Sequence, residues 1–382
     1  MSTMIDYADE VWEVTAGCTK ASPGCANCWA EATSRRMAGK ALPGYRDVIR
    51  NGHWNGSISL LKHNLERPLK WKRPRVVFVN SKSDLFHESV PFEYIDRVFY
   101  TMIQARQHTF LLLTKRPDRM AAYYESRMDG EDWFEVDLGA GWRAGFEVRK
   151  GNIWPGATAE NQEMLEQRAP QLVRCPGPVR WLSLEPLLEA VDLAPWIGQG
   201  YDQVNWVVPG GESGTRARIM PVSAPRRVRD VCIEKGVPFW FKQWGAWRPI
   251  NPVTEPHTYE LAEQHKIDSV MWLGYRYQKL GKKNTGHELD GTVWQEFPER
   301  CEHAGCTSLH ASGYLIRSGT EDPGLVEFLC VDHARAGGYC LGCHEYSPNG
   351  ECWETGFCRE CTEEMDADGE EWEEEGGEWE MG

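Results

Sequence analysis

Three cysteines near the N-terminus carry the clearest chemical signal. They stand in the run TAGCTKASPGCANCWAE as Cys18, Cys25 and Cys28, a C-x6-C-x2-C spacing within eleven residues of Pro- and Gly-bearing loop. A short apolar run precedes them and a helix is expected to begin near Cys28. Three thiolates on such a loop can hold three irons of a [4Fe–4S] cluster and leave the fourth iron open to an outside ligand. Zinc is the competing occupant; it prefers four protein ligands, and His53 or His63 would have to supply the fourth. Ordinary buried thiols are the third reading.

A second cysteine group lies near the C-terminus. Cys301, Cys306, Cys330 and His333 form one candidate site, and Cys340, Cys343, Cys358 and Cys361 form another. Paired short-gap ligands of this kind are the zinc-ribbon arrangement, a closed Zn2+ site that adds folding energy and offers no open position. Ligands can also cross between the two sites, with Cys352 or His344 substituting for one, and a second iron–sulfur cluster is the competitor. The remaining two of the thirteen cysteines, Cys175 and Cys232, stand alone and read as buried thiols.

Elements that could position the first trio follow from hydrophobic patterning. After a first strand near Val11–Thr15, short apolar runs recur at 75–80 (RVVFVN), 109–114 (TFLLLT), 152–157 (NIWPGA), 179–184 (VRWLSL), 204–209 (VNWVVP) and 237–242 (VPFWFK). Most are apolar on both parities, as suits parallel strands buried on both faces. Helical stretches at 91–105, 161–173 and 224–235 separate several of them. The alternation predicts an α/β fold with a parallel sheet, either a partial or closed (βα)6-8 barrel or a doubly wound sheet.

Polar residues follow each run: Asn80, Lys82 and Asp84; Thr114, Lys115 and Arg116; Glu160 and Asn161; Ser183 and Glu185; Gly210, Gly211 and Glu212; Lys242 and Gln243. In barrels the carboxyl ends of the strands form the active face. For any one of these groups, marking a strand end is an equally good reading; the repetition over six runs is what suggests a shared site.

Composition bounds the rest. The chain has 382 residues, 41% hydrophobic and 26% charged, the balance of a protein with a large core. No run of about 18 apolar residues is present, which excludes a membrane-spanning helix. The start of the chain lacks a basic-then-apolar leader, so a reducing, cytoplasmic setting is expected. The net charge of −15 is unevenly spread: residues 301–382 hold 20 Asp and Glu against 3 Arg, so residues 1–300 carry about +2. An acidic pI therefore does not exclude a nucleic-acid substrate for the main domain. The domains expected are 1–298, a Cys/His module at 299–362, and an acidic tail at 363–382 without stable structure. Residues 117–151 read as a Trp- and Gly-rich lid or surface loop, and 250–298 as a closing segment.

The runs TAGCTKASPGCANCWAE, VFVNSKSDLFHESVP, LLLTKRPDRM, IWPGATAENQ, RWLSLEPLL, WVVPGGESG and VPFWFKQWG, closed by GKKNTGHELDGTVWQEFP, make the chain resemble the phage-associated three-cysteine family of radical-SAM-like proteins. The resemblance covers about residues 10–298. It implies a barrel of radical-SAM type, a [4Fe–4S] cluster on Cys18, Cys25 and Cys28, and S-adenosylmethionine on the open iron. The implied reaction is reductive cleavage to a 5′-deoxyadenosyl radical that attacks an unreactive C–H bond, with the electron coming from a reductant such as a flavodoxin or ferredoxin. The phage association points to a nucleobase, nucleotide or nucleic acid as substrate. The first gap of six residues exceeds the common three, and Asn27 stands where the common motif carries an aromatic.

On that resemblance, Lys115 or Arg116 would pair with the cofactor carboxylate and Glu160 or Glu185 with its ammonium. Asn80, Lys82 and Asp84 occupy the early-strand position, Asn161 and Ser183 lie at later strand ends, and Gly210, Gly211 and Glu212 offer close backbone approach and an acid. Lys115, Glu185 and Lys242 are the candidate catalytic residues, with Lys242 and Gln243 facing substrate. A zinc-binding adaptor for nucleic acid or protein, without catalysis, is the alternative function. Electron transfer through the cluster is a third.

Overall fold

The computed structural model describes residues 5–139, 141–250, 269–272 and 274–298, together with two strands further on. It divides into one unit over residues 1–297 and another over 298–382. In the second unit the described part is an antiparallel pair, Ser312–Ile316 with Leu325–Leu329. The C-terminal cysteines, His333 and the acidic tail lie outside the described residues.

The first unit is built on parallel strands taken in chain order. β1 (Glu10–Trp12) pairs with β6 (Val76–Val79), β6 with β7 (Thr109–Leu112), and β7 with β11 (Ile153–Trp154). Pro155 lacks the N–H to continue the ladder; pairing resumes through a Thr114–Ala157 bridge into β12 (Gly156–Thr158). β12 pairs with β13 (Trp181–Leu184) and β13 with β14 (Trp206–Pro209). The VPFWFK run completes the series through parallel bridges Val207–Phe239 and Gly210–Gln243.

Among the described residues no pairing joins β1 to that last segment. Its outer edge is taken instead by residues 294–296 running antiparallel, with Phe241 N–H donating to Trp294 O and Glu296 N–H to Phe239 O.

Helices connect the strands: α1 (Trp29–Gly39), α2 (Phe92–Gln104), α3 (Pro117–Glu125), α4 (Gln162–Leu172) and α5 (Ser223–Lys235). Local chemistry sets their ends. The Asn161 side chain caps α4 by accepting from Met164 N–H at 3.0 Å, and Gly236, at φ 63°, closes α5 in the left-handed conformation that favours glycine. α2 shows the amphipathic pattern expected of a crossover helix, burying Ile95, Val98, Phe99, Met102 and Ile103.

Aromatic rings fill the space between early and late strands. Tyr7 lies edge-on to Trp181, Trp206 and Trp240, at centroid distances of 5.9, 5.4 and 5.9 Å, and within 6.3 Å of Phe78. Side chains from the first, middle and last parts of the series thus meet in one core.

The segment after Thr114 is not a lid. It opens with α3 and continues into an antiparallel sheet of β8 (Met128–Asp129), β9 (Trp133–Asp137) and β10 (Arg143–Glu147). Alternate residues of β9, Phe134 and Val136, are fully buried and join Phe99, Tyr123 and Tyr124 in the core. Period-two burial in a Trp- and Gly-rich run is the signal that the loop reading overlooked.

The 250–298 region contributes β16 (Ser269–Trp272) and β17 (Tyr275–Lys279), and β17 pairs on its other side with the preceding β15 (Trp247–Ile250). No described helix is long and apolar enough to cross a membrane.

Candidate functional site

The cysteine loop leaves β2 (Thr15–Ala16), next to the carboxyl ends of β1 and β6. Asn80 fixes this departure. It sits at φ 59° at the end of β6; its Oδ1 accepts from Val14 and Thr15 N–H at 2.8 and 3.2 Å, and its Nδ2 donates to Thr15 Oγ1. Asparagine tolerates this left-handed backbone better than most residues. Cys18 follows, Cys25 lies in the 3-10 turn Pro23–Cys25, and Cys28 stands at the start of α1. All three are free thiols, Cys25 buried and the other two half-buried.

The three thiols share one loop of eleven residues. The Cys18 thiol is pushed up to about 12 by burial, by Asp84 and by the charges of Cys25 and Cys28, against the pull of Arg116. Burial also raises Cys28, together with Cys25 and Glu31, while the amides of Glu31 and Ala30 oppose the rise. Cys18 is therefore a protonated thiol at neutral pH, and loading a metal on it releases a proton.

Four strand-end groups tie this loop down. Gly24 N–H donates to Glu160 Oε1 at 2.7 Å, and a Cβ at position 24 would lie 2.9 Å from the Glu160 carboxyl carbon. Glu160 is fully buried and also meets Arg168 at 3.0 Å and Lys115 at 3.5 Å. Burial opposes its charge, yet Lys115, the Gly24 amide and Arg168 hold its carboxyl below the usual range. Glu212 accepts from Asn27 Nδ2 at 3.1 Å and is clasped by Arg218 through both carboxylate oxygens at 2.6 and 2.9 Å; Arg218 also donates to Pro23 O. Burial opposes the Glu212 charge too, and Arg218 and Asn27 prevail and lower it.

Arg116 donates to Thr19 Oγ1 at 2.7 Å while paired with Asp84 at 3.1 Å. Asp84 in turn accepts from Thr114 Oγ1, Lys115 N–H and Phe86 N–H. His87 Nδ1 accepts from Ser89 N–H, so its Nε2 carries the proton and donates to Thr19 Oγ1 at 2.9 Å. Burial and Arg116 keep that imidazole below its ordinary value.

A second cluster lies at the ends of β13 and the 237–242 run. Glu185 pairs with Lys242 at 2.8 Å, accepts from Ser183 Oγ at 3.2 Å and from Tyr7 OH at 3.4 Å. Lys242 Nζ stands 5.1 Å from the Tyr7 ring centroid. Lys282, from GKKNTG, lies close enough to Lys242 and Glu185 to feel both charges, and burial lowers its ammonium. Gly210 and Gly211 are packed tight: a Cβ at 211 would lie 2.0 Å from Trp244 O, and one at 210 would lie 3.2 Å from Glu185 Oε2.

The structure thus sorts the expected site residues. Asp84, Arg116, Glu160 and Glu212 converge on the cysteine loop, with Lys115 behind Glu160. Ser183, Glu185, Gly210 and Lys242 form the second cluster. Asn80 fixes the chain before the loop, Asn161 is a helix cap, and Lys82 is paired with Glu13 at 2.5 Å. Sequence reasoning assigned no role to Tyr7, Glu13, Arg168, Arg218 or Lys282. Lys282 stood in a quoted motif, which was the available clue; the others give no local signal.

Among the described residues, no group of three or more His, Cys, Asp and Glu is gathered closely enough to grip a metal ion as it stands. The donor set is nevertheless of the kind that suits a cluster with one open iron: three soft thiols within eleven residues, and no fourth cysteine on the loop. Cys175 and Cys232 are fully buried elsewhere.

Residues 2–298 match the family described as Protein of unknown function (DUF5131). No curated protein and no solved structure matches the chain.

Proposed function

The chain belongs to this family of uncharacterised proteins, and from its own residues we propose that it is a radical S-adenosylmethionine enzyme built on a partial parallel barrel, acting on a C–H bond of a nucleobase or nucleotide. The observation that carries the reading is the placement of Cys18, Cys25 and Cys28 over the carboxyl ends of parallel strands, tied there by buried groups from the ends of β7, β12 and β14. Cys18, Cys25 and Cys28 would hold the [4Fe–4S] cluster. Bound there, the cluster and S-adenosylmethionine supply one-electron chemistry that activates a substrate C–H bond.

The chain's own residues do the rest. Glu160 and Glu212 keep the loop in one geometry, so the three thiols are presented together rather than on a wandering segment. Glu185 and Lys242 form a partly exposed pair at the same face, placed to orient a polar substrate. The Tyr7, Trp181, Trp206 and Trp240 rings close the floor beneath them and exclude water. The C-terminal cysteines are proposed zinc sites, the setting cytoplasmic, and the electron donor a flavodoxin or ferredoxin.

The test is anaerobic purification with iron, sulfide and zinc analysis, then incubation with S-adenosylmethionine and dithionite. The expected result is bound iron and 5′-deoxyadenosine by mass spectrometry, both lost in Cys25→Ala. Zinc without iron at this loop, or iron retained in Cys25→Ala, overturns the reading and favours a zinc-binding adaptor.

A further inference from the structure

Charge on the first unit is not evenly distributed. Residues 19–75 hold twelve Lys and Arg against three Asp and Glu, whereas residues 1–300 as a whole are near neutral. Lys20, Arg35, Arg46 and Arg50 of this stretch are exposed, and none of the four has an acidic partner among the described residues. The stretch includes the cysteine loop, α1 and the hairpin of β3 (Ile49–Arg50) and β4 (His53–Trp54).

Beside the loop, Cys18, Lys20, Glu31, His53 and Trp54 line a cavity of about 270 Å³. Cys25 and Cys28 do not line it, so it opens to one side of the trio. Its volume is at the small end for ligand cavities and suits one flat ring system. Trp54 is held rigidly. One part of the indole packs on the small core of Ala16, Tyr45, Val48 and Leu61, and its amide N–H donates to Glu31 Oε1 at 3.0 Å. His53 Nδ1 lies 3.5 Å from the other Glu31 oxygen. Arg35 runs past Gly52 at the hairpin tip, where a Cβ would lie 3.5 Å from its Cδ. A second indole, Trp29, follows Cys28 directly and is 48% exposed.

Unpaired cations beside a fixed aromatic platform are the parts of a single-strand binding surface. The cations follow the phosphates, and an unstacked base lies on the ring. We propose that α1 and the β3–β4 hairpin dock a single-stranded polynucleotide, with phosphates on Lys20, Arg35 and Arg50 and one base stacked on Trp54 beside Cys18. The inference rests on the proposed reaction only in making this base the substrate. A duplex keeps its bases stacked and cannot offer one to Trp54.

The experiment is fluorescence anisotropy of the full chain with labelled single-stranded DNA, single-stranded RNA and duplex DNA over a salt series. Single strands are expected to bind more tightly than duplex, and the DNA and RNA arms identify the natural polymer. The triple variant Lys20→Ala/Arg35→Ala/Arg50→Ala is expected to weaken binding at least tenfold and to flatten the log–log salt slope by about 2, at ~0.7 per phosphate contact on a single strand. Trp54→Ala is expected to weaken binding by roughly tenfold with the slope unchanged, and Trp54→Phe to restore most of it.

No binding to either single strand, tighter binding to duplex, or an unchanged slope in the triple variant overturns the proposal. Iron content and S-adenosylmethionine cleavage, measured on the same preparations, keep the two readings apart. Cleavage without polynucleotide binding sinks the docking surface alone, and polynucleotide binding without iron sinks the reaction alone.

Discussion

Glu160 and Glu185 are both carboxylates just beyond a parallel strand, and both meet a lysine, yet they serve different ends. The Glu160 side chain is completely buried between Arg168 and Lys115 and faces the backbone of the cysteine loop. Glu185 remains 17% exposed, pairs with Lys242, lies near Lys282, and has Tyr7 and Ser183 as weaker contacts. A carboxylate enclosed by two cations and an amide has no capacity left for a ligand; it is a strut. A carboxylate that keeps some exposure can exchange a partner for a substrate group. The face is therefore divided between a corner whose acid is used up in holding the cysteine loop and a corner whose acid stays partly exposed.

Removing the strut should have the largest effect. Glu160→Gln leaves buried Arg168 and half-buried Lys115 without their anion, and losing one member of a buried pair costs about 3–5 kcal/mol. The denaturant midpoint should fall accordingly, and iron uptake by the loop should fall with it. Wild-type stability in this variant would mean that Glu160 does not hold the loop.

The Glu212–Arg218 clasp should come next, at about 1–2 kcal/mol for charged hydrogen bonds with one partner partly exposed. Its sign with pH follows from the lowered Glu212 carboxyl. The contribution is complete above the unfolded carboxylate value near 4.3 and is lost as pH falls through the lower folded value. Thermal melts of wild type and Glu212→Gln should differ at pH 7 and converge in acid; a gap that persists in acid argues against the ion pair as its source.

Glu185→Gln should change stability least, by about 1 kcal/mol, because Glu185 meets Lys242 through a single contact where Glu212 meets Arg218 through two. Substrate turnover should nevertheless be lost while 5′-deoxyadenosine formation in the absence of substrate persists. Unimpaired turnover would remove the distinction between the two corners.

Much of this arrangement was legible in the chain. The both-face apolar runs predicted the parallel strands, because a strand covered on each side by helices leaves no polar parity. The C-x6-C-x2-C spacing placed three thiols on one loop, since eleven residues cannot carry them far apart. Asn161 shows how the reading went too far: an asparagine ahead of a helix is first of all a cap, and that is its role. The 128–147 sheet was missed because its alternation is short and interrupted by glycines.

Residue types and spacing thus determined which side chains lie at strand ends and which thiols form a group, for these depend on neighbours a few residues apart. Only the tertiary structure decided which acids are consumed in holding the loop. Gly24 meets Glu160 across 136 positions of chain, and Asn27 meets Glu212 across 185. Hydrogen bonds and ion pairs act over about 3 Å of space whatever the separation in sequence, so no local pattern could assign these partners before the strands had brought them together.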